Sequence, residues 1–380
     1  MHVKFVFIIF VIFLSWNAKA ELSPEPIPNV AVLPSDYPDN WIFAHDVNFA
    51  SLLTGQVVVL DIAADTKEYK GSLDASQFGT FIQSAKRDEL YVGETFYSRG
   101  TRGDRTDVVT IYDKATLKRI DEIVLPGGKR AQIVINKYAM QLIDEDRYLL
   151  VLNFTPAISV TVIDIEKREV LSEIPIGGCN MIYPSGKRGF SSLCGDGTLM
   201  SVSLDKQGNI VDRTRSDVFF NPDEDPIFDK PVYLDGTAFF PSFEGKMQPI
   251  EMSKTPTILP TWSLVDSQAA KENWRPSGWQ IISGNDGLLY VLMQKNGFPG
   301  SHKSGGEEVW VFDPSQKKRI RRILLNSPGF SIEVTPGKSP LLAVTGTDMS
   351  IWIYDTKGKL QRNISVGAPS AMPIMLNAKR

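Results

Sequence analysis

The residues that could perform chemistry in this 380-residue chain are few and widely spaced, with three histidines and two cysteines. The sequence lacks the G-x-S-x-G and H-E-x-x-H motifs, a P-loop and a dinucleotide fingerprint. His302, beside Lys303, could act as an acid or base, although a lone loop histidine is more often structural or solvated. We therefore assign no catalytic residue and no metal ligand to this chain.

An acidic run is a second candidate for chemistry. Asp223, Glu224 and Asp225 lie between Pro222 and Pro226. Carboxylate oxygens are the ligands that Ca²⁺ prefers, so the run could bind calcium. Its spacing does not match a known calcium loop, and a solvated loop is the competing interpretation.

The two cysteines, Cys179 and Cys194, permit two interpretations. In an exported protein an even number of cysteines usually indicates a disulfide, whereas a catalytic thiol is the alternative. Without nearby histidines, two cysteines cannot make an ordinary zinc site.

The N-terminus predicts export. Lys4 precedes an apolar run from Phe5 to Trp16, and Ala18-Lys19-Ala20 has the form of a cleavage site. We expect a signal peptide over residues 1–20, with an uncleaved anchor as the alternative. Five prolines in residues 21–40 predict an extended arm. No later stretch is long and apolar enough to span a membrane.

The charge of the chain bears on its partners. The formal net charge is −3, and removal of residues 1–20, with Lys4 and Lys19 as their only charged side chains, would make it −5. A mildly acidic chain without a basic stripe argues against nucleic acid as a partner.

The chain repeats itself, and the repeat is the feature that indicates its fold. Each copy is a short apolar, β-branched run that ends at an aspartate before a charged turn. Successive aspartates lie 52, 51, 41, 108 and 42 residues apart. Because the gap of 108 is about twice the others, a degenerate seventh copy is expected at 248–253. The clear copies end at Asp61, Asp113, Asp164, Asp205, Asp313 and Asp355.

A repeat of roughly 40–50 residues is typical of a propeller blade. The runs have the length of strands, and aspartate suits the turn that ends each one. We predict an all-β, seven-bladed β-propeller of four-stranded antiparallel blades over residues 41–380. An irregular β-sandwich would explain the strands but not their recurrence. We also expect a short helix within 263–273 and a ring-closing strand within 370–376.

Several segments can be compared with a known family. They are the arginine-rich run Phe96–Val109, the segment from Cys179 to Gly197, the run Asn273–Gln280, and His302-Lys303 before 309–313. In this order they resemble the large subunits of tryptophan tryptophylquinone-dependent amine dehydrogenases, the methylamine and aromatic amine dehydrogenase family. Ser277 departs from the family's W-x-P-G-G pattern. The resemblance extends from about residue 40 to residue 365.

The resemblance implies a complex of two large propellers and two small, cysteine-rich subunits. In such enzymes the small subunit carries tryptophan tryptophylquinone and the catalytic aspartate. A primary amine is oxidised to aldehyde and ammonia, and electrons pass to a blue copper protein in the periplasm. This chain would then be the large scaffold subunit, without a cofactor of its own. The family's paired-cysteine hairpin also implies a bond between Cys179 and Cys194.

One residue of this chain is implied to lie at the substrate entrance. In the family a phenylalanine of an early blade lies beside the quinone pocket, and Phe78 falls on that position. An aromatic side chain there would exclude water and sort amines by shape. Simple packing of Phe78 within a blade is the alternative.

Two other functions are compatible with an exported propeller. One is a binding module without an enzymatic partner. The other is a self-contained propeller enzyme, such as a pyrroloquinoline quinone dehydrogenase or a lactonase. The tryptophan-docking repeats of the first enzyme and the carboxylate and asparagine set of the second are not visible in the sequence.

Overall fold

The computed structural model describes residues 32–76, 78–367 and 371–379, without the side chain of Leu52. The predicted signal peptide (1–20) and residues 21–31 of the predicted arm lie outside the described residues.

The apolar runs form strands because β-branched and aromatic side chains fit a pleated, buried surface. Val57, Val58, Val59 and Leu60, for example, are all fully buried. The first fifteen strands are β1 (Trp41–Asp46), β2 (Gln56–Asp61), β3 (Tyr69–Asp74), β4 (Thr80–Gln83), β5 (Glu89–Tyr97), β6 (Arg105–Asp113), β7 (Arg119–Leu125), β8 (Met140–Ile143), β9 (Tyr148–Asn153), β10 (Ser159–Asp164), β11 (Glu169–Pro175), β12 (Cys179–Pro184), β13 (Gly189–Cys194), β14 (Leu199–Leu204) and β15 (Ile210–Arg215).

Fourteen further strands follow in the second half of the described chain. They are β16 (Val232–Leu234), β17 (Thr237–Pro241), β18 (Lys246–Glu251), β19 (Thr257–Ile258), β20 (Trp262–Ser263), β21 (Arg275–Pro276), β22 (Ile282–Asn285), β23 (Leu288–Gln294), β24 (Gly306–Asp313), β25 (Lys318–Val334), β26 (Leu341–Gly346), β27 (Ile351–Asp355), β28 (Leu360–Ile364) and β29 (Pro373–Ala378). One α-helix, α1 (Ser267–Lys271), and three 3₁₀ turns, at Leu52–Thr54, Lys137–Ala139 and Ser301–Lys303, lie between strands.

The strands form antiparallel sheets arranged around an axis. Four sheets have four strands each, in the orders β29-β1-β2-β3, β4-β5-β6-β7, β8-β9-β10-β11 and β12-β13-β14-β15. One sheet has five strands, β16 to β20, and one has eight, β21 to β28. The first strands of neighbouring sheets contact each other, as β4 with β8 and β8 with β12. Strands β22 and β25 of the eight-stranded sheet contact β16 and β29, the first strands of two other sheets. This arrangement confirms an all-β propeller with four-stranded blades.

The prediction of seven four-stranded blades is wrong in its number. The described residues form six sheets, and only four of these have four strands. The cause is β25, a strand of 17 residues whose first part pairs with β24 and whose second part pairs with β26. Pro328 and Gly329 lie inside this strand without ending it, so the repeat copies that end at Asp313 and Asp355 share one sheet and do not form two separate blades.

The repeat itself is reproduced at the level of strands. Asp61, Asp113, Asp164, Asp313 and Asp355 are the last residues of β2, β6, β10, β24 and β27. Asp205 directly follows β14. Several of these carboxylates accept hydrogen bonds from backbone N–H groups of the turn that follows, which is why aspartate recurs there. The degenerate copy at 248–253 falls on β18, the third strand of its sheet.

The predictions of a short helix within 263–273 and of a C-terminal strand that closes the ring are confirmed. The helix α1 lies within 263–273, and the Asp266 carboxylate caps it by accepting hydrogen bonds from the N–H groups of Gln268 and Ala269. Strand β29 pairs with β1 and joins the C-terminal segment to the N-terminal sheet.

Cys179 and Cys194 form an intrachain disulfide, as expected. They are directly opposite each other on β12 and β13, with Cα atoms 3.8 Å apart, and both are buried. The separation is shorter than the roughly 4.4–6.8 Å common for disulfides. The bond excludes the alternative of a free catalytic thiol.

Candidate functional site

Phe78 lies in an apolar cluster that residues from several sheets build together. The members follow β1, precede β4, β8, β22 and β29, or lie in β25, in β29 and in the turn after β26. Since the first strands of the sheets lie near the axis, this group lies at one end of the propeller. We call it the axial cluster; it consists of Val47, Phe78, Val134, Ile135, Trp279, Phe330, Met349, Met372, Ile374 and Met375.

The Phe78 side chain is half-buried in this cluster. Its ring is 6.2 Å from that of Phe49 in an edge-to-face arrangement. The Phe78 backbone has a φ of +55°, in the left-handed region that side chains other than glycine rarely adopt. A residue held in this way needs support from its surroundings. The location agrees with either role of Phe78, at an entrance or in packing, so the substrate role stays a prediction.

A buried arginine supplies part of that support. Arg130 Nη1 donates a hydrogen bond of 3.0 Å to the Phe78 carbonyl oxygen. The Arg130 Nε and Nη2 atoms donate to Thr95 Oγ1 at 3.0 and 2.9 Å. Arg130 is only 2 % exposed, and burial lowers the pKa of its guanidinium to about 10, which nearby Asp107 opposes. The side chain therefore stays charged at neutral pH.

A fully buried carboxylate, Asp107, bonds to the main chain of Arg130 and to the side chain of Arg105. Asp107 accepts hydrogen bonds from the Arg130 backbone N–H at 2.8 Å, from Thr95 Oγ1 at 2.7 Å and from the Arg105 guanidinium at 2.9 and 3.0 Å. Buried charges persist when they are paired and hydrogen-bonded in this way. This network holds Arg130 in place, and Arg130 in turn holds the Phe78 main chain.

Exposed aromatic residues surround the same end of the propeller. Phe49 follows β1, Phe96 is close to the end of β5, Phe154 follows β9 and Phe298 follows β23. Each of these strands is the second of its sheet, so it ends where the first strand begins. Exposed apolar residues that gather on one side of a protein indicate a contact surface. We call this end, with the axial cluster, the cluster face.

A cavity of 580 Å³ opens beside the cluster and shares Trp279 with it. We call it the aromatic cavity. Its walls bring together three segments that the sequence singles out separately: the acidic run at 223–225, the segment from Asn273 to Gln280, and His302. The lining consists of Asp223, Glu224, Pro226, Ile227, Phe228, Asp229, Lys230, Phe243, Glu244, Arg275, Gly278, Trp279, Pro299, Gly300 and His302.

Two cations of the cavity lie on aromatic rings. Lys230 Nζ is 3.9 Å from the Trp279 ring centroid and 2.8 Å from Asp229 Oδ1. The Arg275 guanidinium is 4.7 Å from the Phe243 centroid and 2.8 Å from Glu244 Oε1. Each cation is thus already paired with a carboxylate and an aromatic face.

His302 does not form a catalytic arrangement. Its ring is edge-to-face with Phe228 and Phe243, at centroid distances of 6.5 and 5.8 Å. Desolvation, with a smaller effect of Lys303, lowers the pKa of the His302 imidazole. A neutral ring packed against two phenylalanines forms part of an apolar wall.

The described residues give no support to the calcium interpretation of the acidic run. Asp225 is engaged within the chain, since it accepts from Ser242 Oγ at 3.0 Å and pairs with Lys246 at 3.0 Å. Among residues 32–76, 78–367 and 371–379, no group of three His, Cys, Asp or Glu side chains is placed to hold a metal ion.

No helix in those ranges is both long and apolar enough to cross a membrane.

Sequence reasoning missed Arg130, Lys230 and Gln280. Arg130 follows Gly127, Gly128 and Lys129 and looks like a turn residue, because nothing local distinguishes a buried arginine from an exposed one. Gln280, only 1 % exposed, joins two elements near the axis, donating to the carbonyl oxygens of Ile332 at 2.8 Å and Leu376 at 3.0 Å. The motif that contains it was visible, but its partners lie about 50 and 96 residues away.

The sheets and the cluster face define a β-propeller with an apolar platform at one end. The family model of the methylamine dehydrogenase heavy chain matches residues 42–372, and the chain belongs to this family. It is 28 % identical over 303 residues to the methylamine dehydrogenase heavy chain of Methylobacillus flagellatus, covering 78 % of this chain and 75 % of that one. The heavy chain of Methylophilus methylotrophus is 27 % identical over 310 residues, or 80 % and 75 % of the two chains.

A solved structure supports the fold alone. A putative 6-phosphogluconolactonase from Bacteroides fragilis aligns with a TM-score of 0.61 at 12 % identity, covering 94 % of this chain and 100 % of that one. At this identity the likeness concerns the architecture and not the chemistry.

Proposed function

We propose that this chain is the large scaffold subunit of a periplasmic amine dehydrogenase that oxidises primary amines to aldehyde and ammonia. The observation that carries the proposal is the cluster face, an apolar platform on a chain of the methylamine dehydrogenase heavy chain family. The signal sequence expected at residues 1–20 supports export to the periplasm.

The partner would be a small, cysteine-rich light chain that bears tryptophan tryptophylquinone, in a complex of two large and two small subunits. Bound there, the quinone would supply the electron sink for amine oxidation, and electrons would pass on to a blue copper protein. The described residues of this chain offer an apolar surface, which suits contact with a partner. Phe49 and Phe154 are 43 % and 45 % exposed and would become buried in such a contact.

Within the complex this chain would shape the substrate entrance. Phe78 would exclude water and limit the size of the amine, and Arg130 would hold the Phe78 backbone in its left-handed conformation. Both roles require a fixed aromatic ring and no proton transfer by this chain.

Co-expression with a light chain tests the proposal. The complex should be coloured and should reduce a dye when a primary amine is added, whereas this chain alone should be colourless and inactive. Phe49→Asp, on the cluster face, should weaken complex formation. Val211→Asp, at another exposed apolar position, on the outer strand β15, should not. Amine oxidation by this chain alone, or failure of the wild-type chains to associate, would disprove the proposal.

A further inference from the structure

The aromatic cavity has the size and walls of a small-molecule site. Its 580 Å³ lies within the range of roughly 300–1,000 Å³ of ligand pockets. Phe228, Phe243, Trp279 and the ring of His302 supply aromatic surface. Apolar walls of this kind accept the chain or ring of an organic ligand.

The charge of the lining favours a cation. Four carboxylates and two cations line the cavity, and a neutral His302 leaves a net charge of −2. Asp229 and Glu244 are paired with Lys230 and Arg275. Within the described parts of the chain, Asp223 and Glu224 have no ion-pair partner, and both are exposed at the rim. The uncompensated negative charge therefore lies at the mouth, above the aromatic walls.

The cavity already binds two cations of its own chain in one pattern. Lys230 and Arg275 each lie on an aromatic face and beside a carboxylate. A third cation at the mouth would find the same combination, with Asp223 and Glu224 as its counter-charges. An anion would lack a free partner, because both basic side chains are engaged.

We propose that the aromatic cavity binds an organic ammonium ion, a primary ammonium group carried on an apolar chain or ring. The ammonium group lies at the mouth near Asp223 and Glu224, and the apolar part lies against Phe243 and Trp279. Methylammonium is too small to contact the aromatic walls while its charge lies at the mouth, so aryl-alkyl ammonium ions bind best. The site belongs to this chain by itself and does not depend on the proposed function.

Titration calorimetry of the full chain with 3-phenylpropylammonium tests the assignment. The probe 3-phenylpropan-1-ol has the same ring and chain without the charge, and 3-phenylpropanoate carries the opposite charge. We expect the ammonium to bind at least tenfold more tightly than the alcohol, and the carboxylate not to bind. Equal affinity for ammonium and alcohol, or preference for the anion, overturns the proposal.

Two variants locate the binding. Asp223→Asn with Glu224→Gln should weaken ammonium binding at least fivefold and leave the alcohol unchanged. The matched control, Asp104→Asn with Glu166→Gln, removes two exposed carboxylates outside the cavity and should change the affinity less than twofold. Binding of 3-phenylpropylammonium against Trp279 should also change the tryptophan fluorescence of the wild-type chain. Trp279→Phe should abolish this change. Unchanged affinity in the first variant overturns the site.

A lysine of the light chain offers the same chemistry as a free amine. The titration is therefore repeated on the assembled complex. Retained binding supports the free ammonium ion, whereas loss of binding on assembly overturns it and assigns the cavity to a cationic side chain of the partner. If no complex forms, the proposed function fails while the titration of this chain still decides the cavity.

Discussion

The guanidinium of Arg130 holds the main chain of Phe78, with Nη1 3.0 Å from the Phe78 carbonyl oxygen. The contact spans 52 residues of sequence and joins the segment before β8 to the segment before β4. A half-buried aromatic side chain on the cluster face is thereby positioned by a fully charged, buried neighbour. Thr95 and Asp107 fix that neighbour in turn.

This contact predicts that Arg130 influences amine selectivity through Phe78. In the co-expressed complex, Phe78→Ala should change the ratio of kcat/KM between methylamine and a larger amine by at most a few hundredfold, because apolar pocket differences are worth about 1–3 kcal/mol. Arg130→Met should change the same ratio in the same direction. Quinone absorbance should be retained in both variants, since neither residue belongs to the partner.

Arg119→Met is the matched control, because the Arg119 side chain is 67 % exposed on β7. It should leave the ratio unchanged. If Phe78→Ala leaves selectivity unchanged, Phe78 only packs in the cluster. If Phe78→Ala alters the ratio and Arg130→Met does not, the hydrogen bond does not position the ring.

A second prediction concerns acid stability and His45. This residue is 1 % exposed on β1, and neither ring nitrogen has a hydrogen-bond partner in the described chain. Burial lowers the pKa of the His45 imidazole from 6.5 to about 3. Below pH 6.5 the unfolded chain binds a proton that the folded chain does not. Protonation therefore favours unfolding, and stability falls as the pH decreases from 6.5 towards 3.

The size of this effect can be isolated with His45→Leu. Relative to the variant, the wild-type chain should lose roughly 2 kcal/mol of unfolding free energy between pH 7.5 and pH 5, at about 1.4 kcal/mol per pH unit below 6.5. Urea unfolding at several pH values measures it. His302→Leu, at a partly exposed position, should show a smaller change. Parallel pH profiles for wild type and His45→Leu would exclude His45 as the cause.

Gln280 should be a strong contributor to stability. Its side chain donates to the Ile332 and Leu376 carbonyl oxygens and accepts from the Leu376 N–H at 3.0 Å. Gln280→Leu leaves these buried backbone groups without partners, at about 1–3 kcal/mol for each group. We expect a loss of about 3 kcal/mol in urea unfolding. Gln361→Leu, at an exposed position, should cost less than about 0.5 kcal/mol, and an equal loss in both variants would contradict the assignment.

The disulfide should stabilise the chain mainly by restricting the unfolded state. Cys179 and Cys194 are 15 residues apart, and a loop of this length is worth about 3 kcal/mol. Replacing both cysteines by alanine should lower the unfolding free energy by about this amount. A reductant should lower that of the wild type similarly and leave the double variant unaffected. Sensitivity of the double variant to the reductant would point to another cause.

The sequence by itself determined the strands and their ends. Asp113, Asp164 and Asp355 end strands in the structure because the preference of aspartate for turns acts over a few residues and needs no distant partner. The disulfide and the helix α1 could also be predicted from the sequence, because two cysteines allow one pairing and Asp266 caps the helix locally. The family resemblance could also be detected from the sequence, since its segments occur in order along the chain.

The tertiary structure alone decided where sheets join and which residues meet. Whether β25 breaks at Pro328-Gly329 depends on pairing with β24 and β26, which the local sequence does not encode. Phe78 and Arg130 meet across 52 residues, and Asp223, Trp279 and His302 come from three separate segments. These contacts form because closure of the propeller brings the ends of its strands together at one face. A periodic sequence predicts that such ends exist, but only the folded ring sets the distances between them.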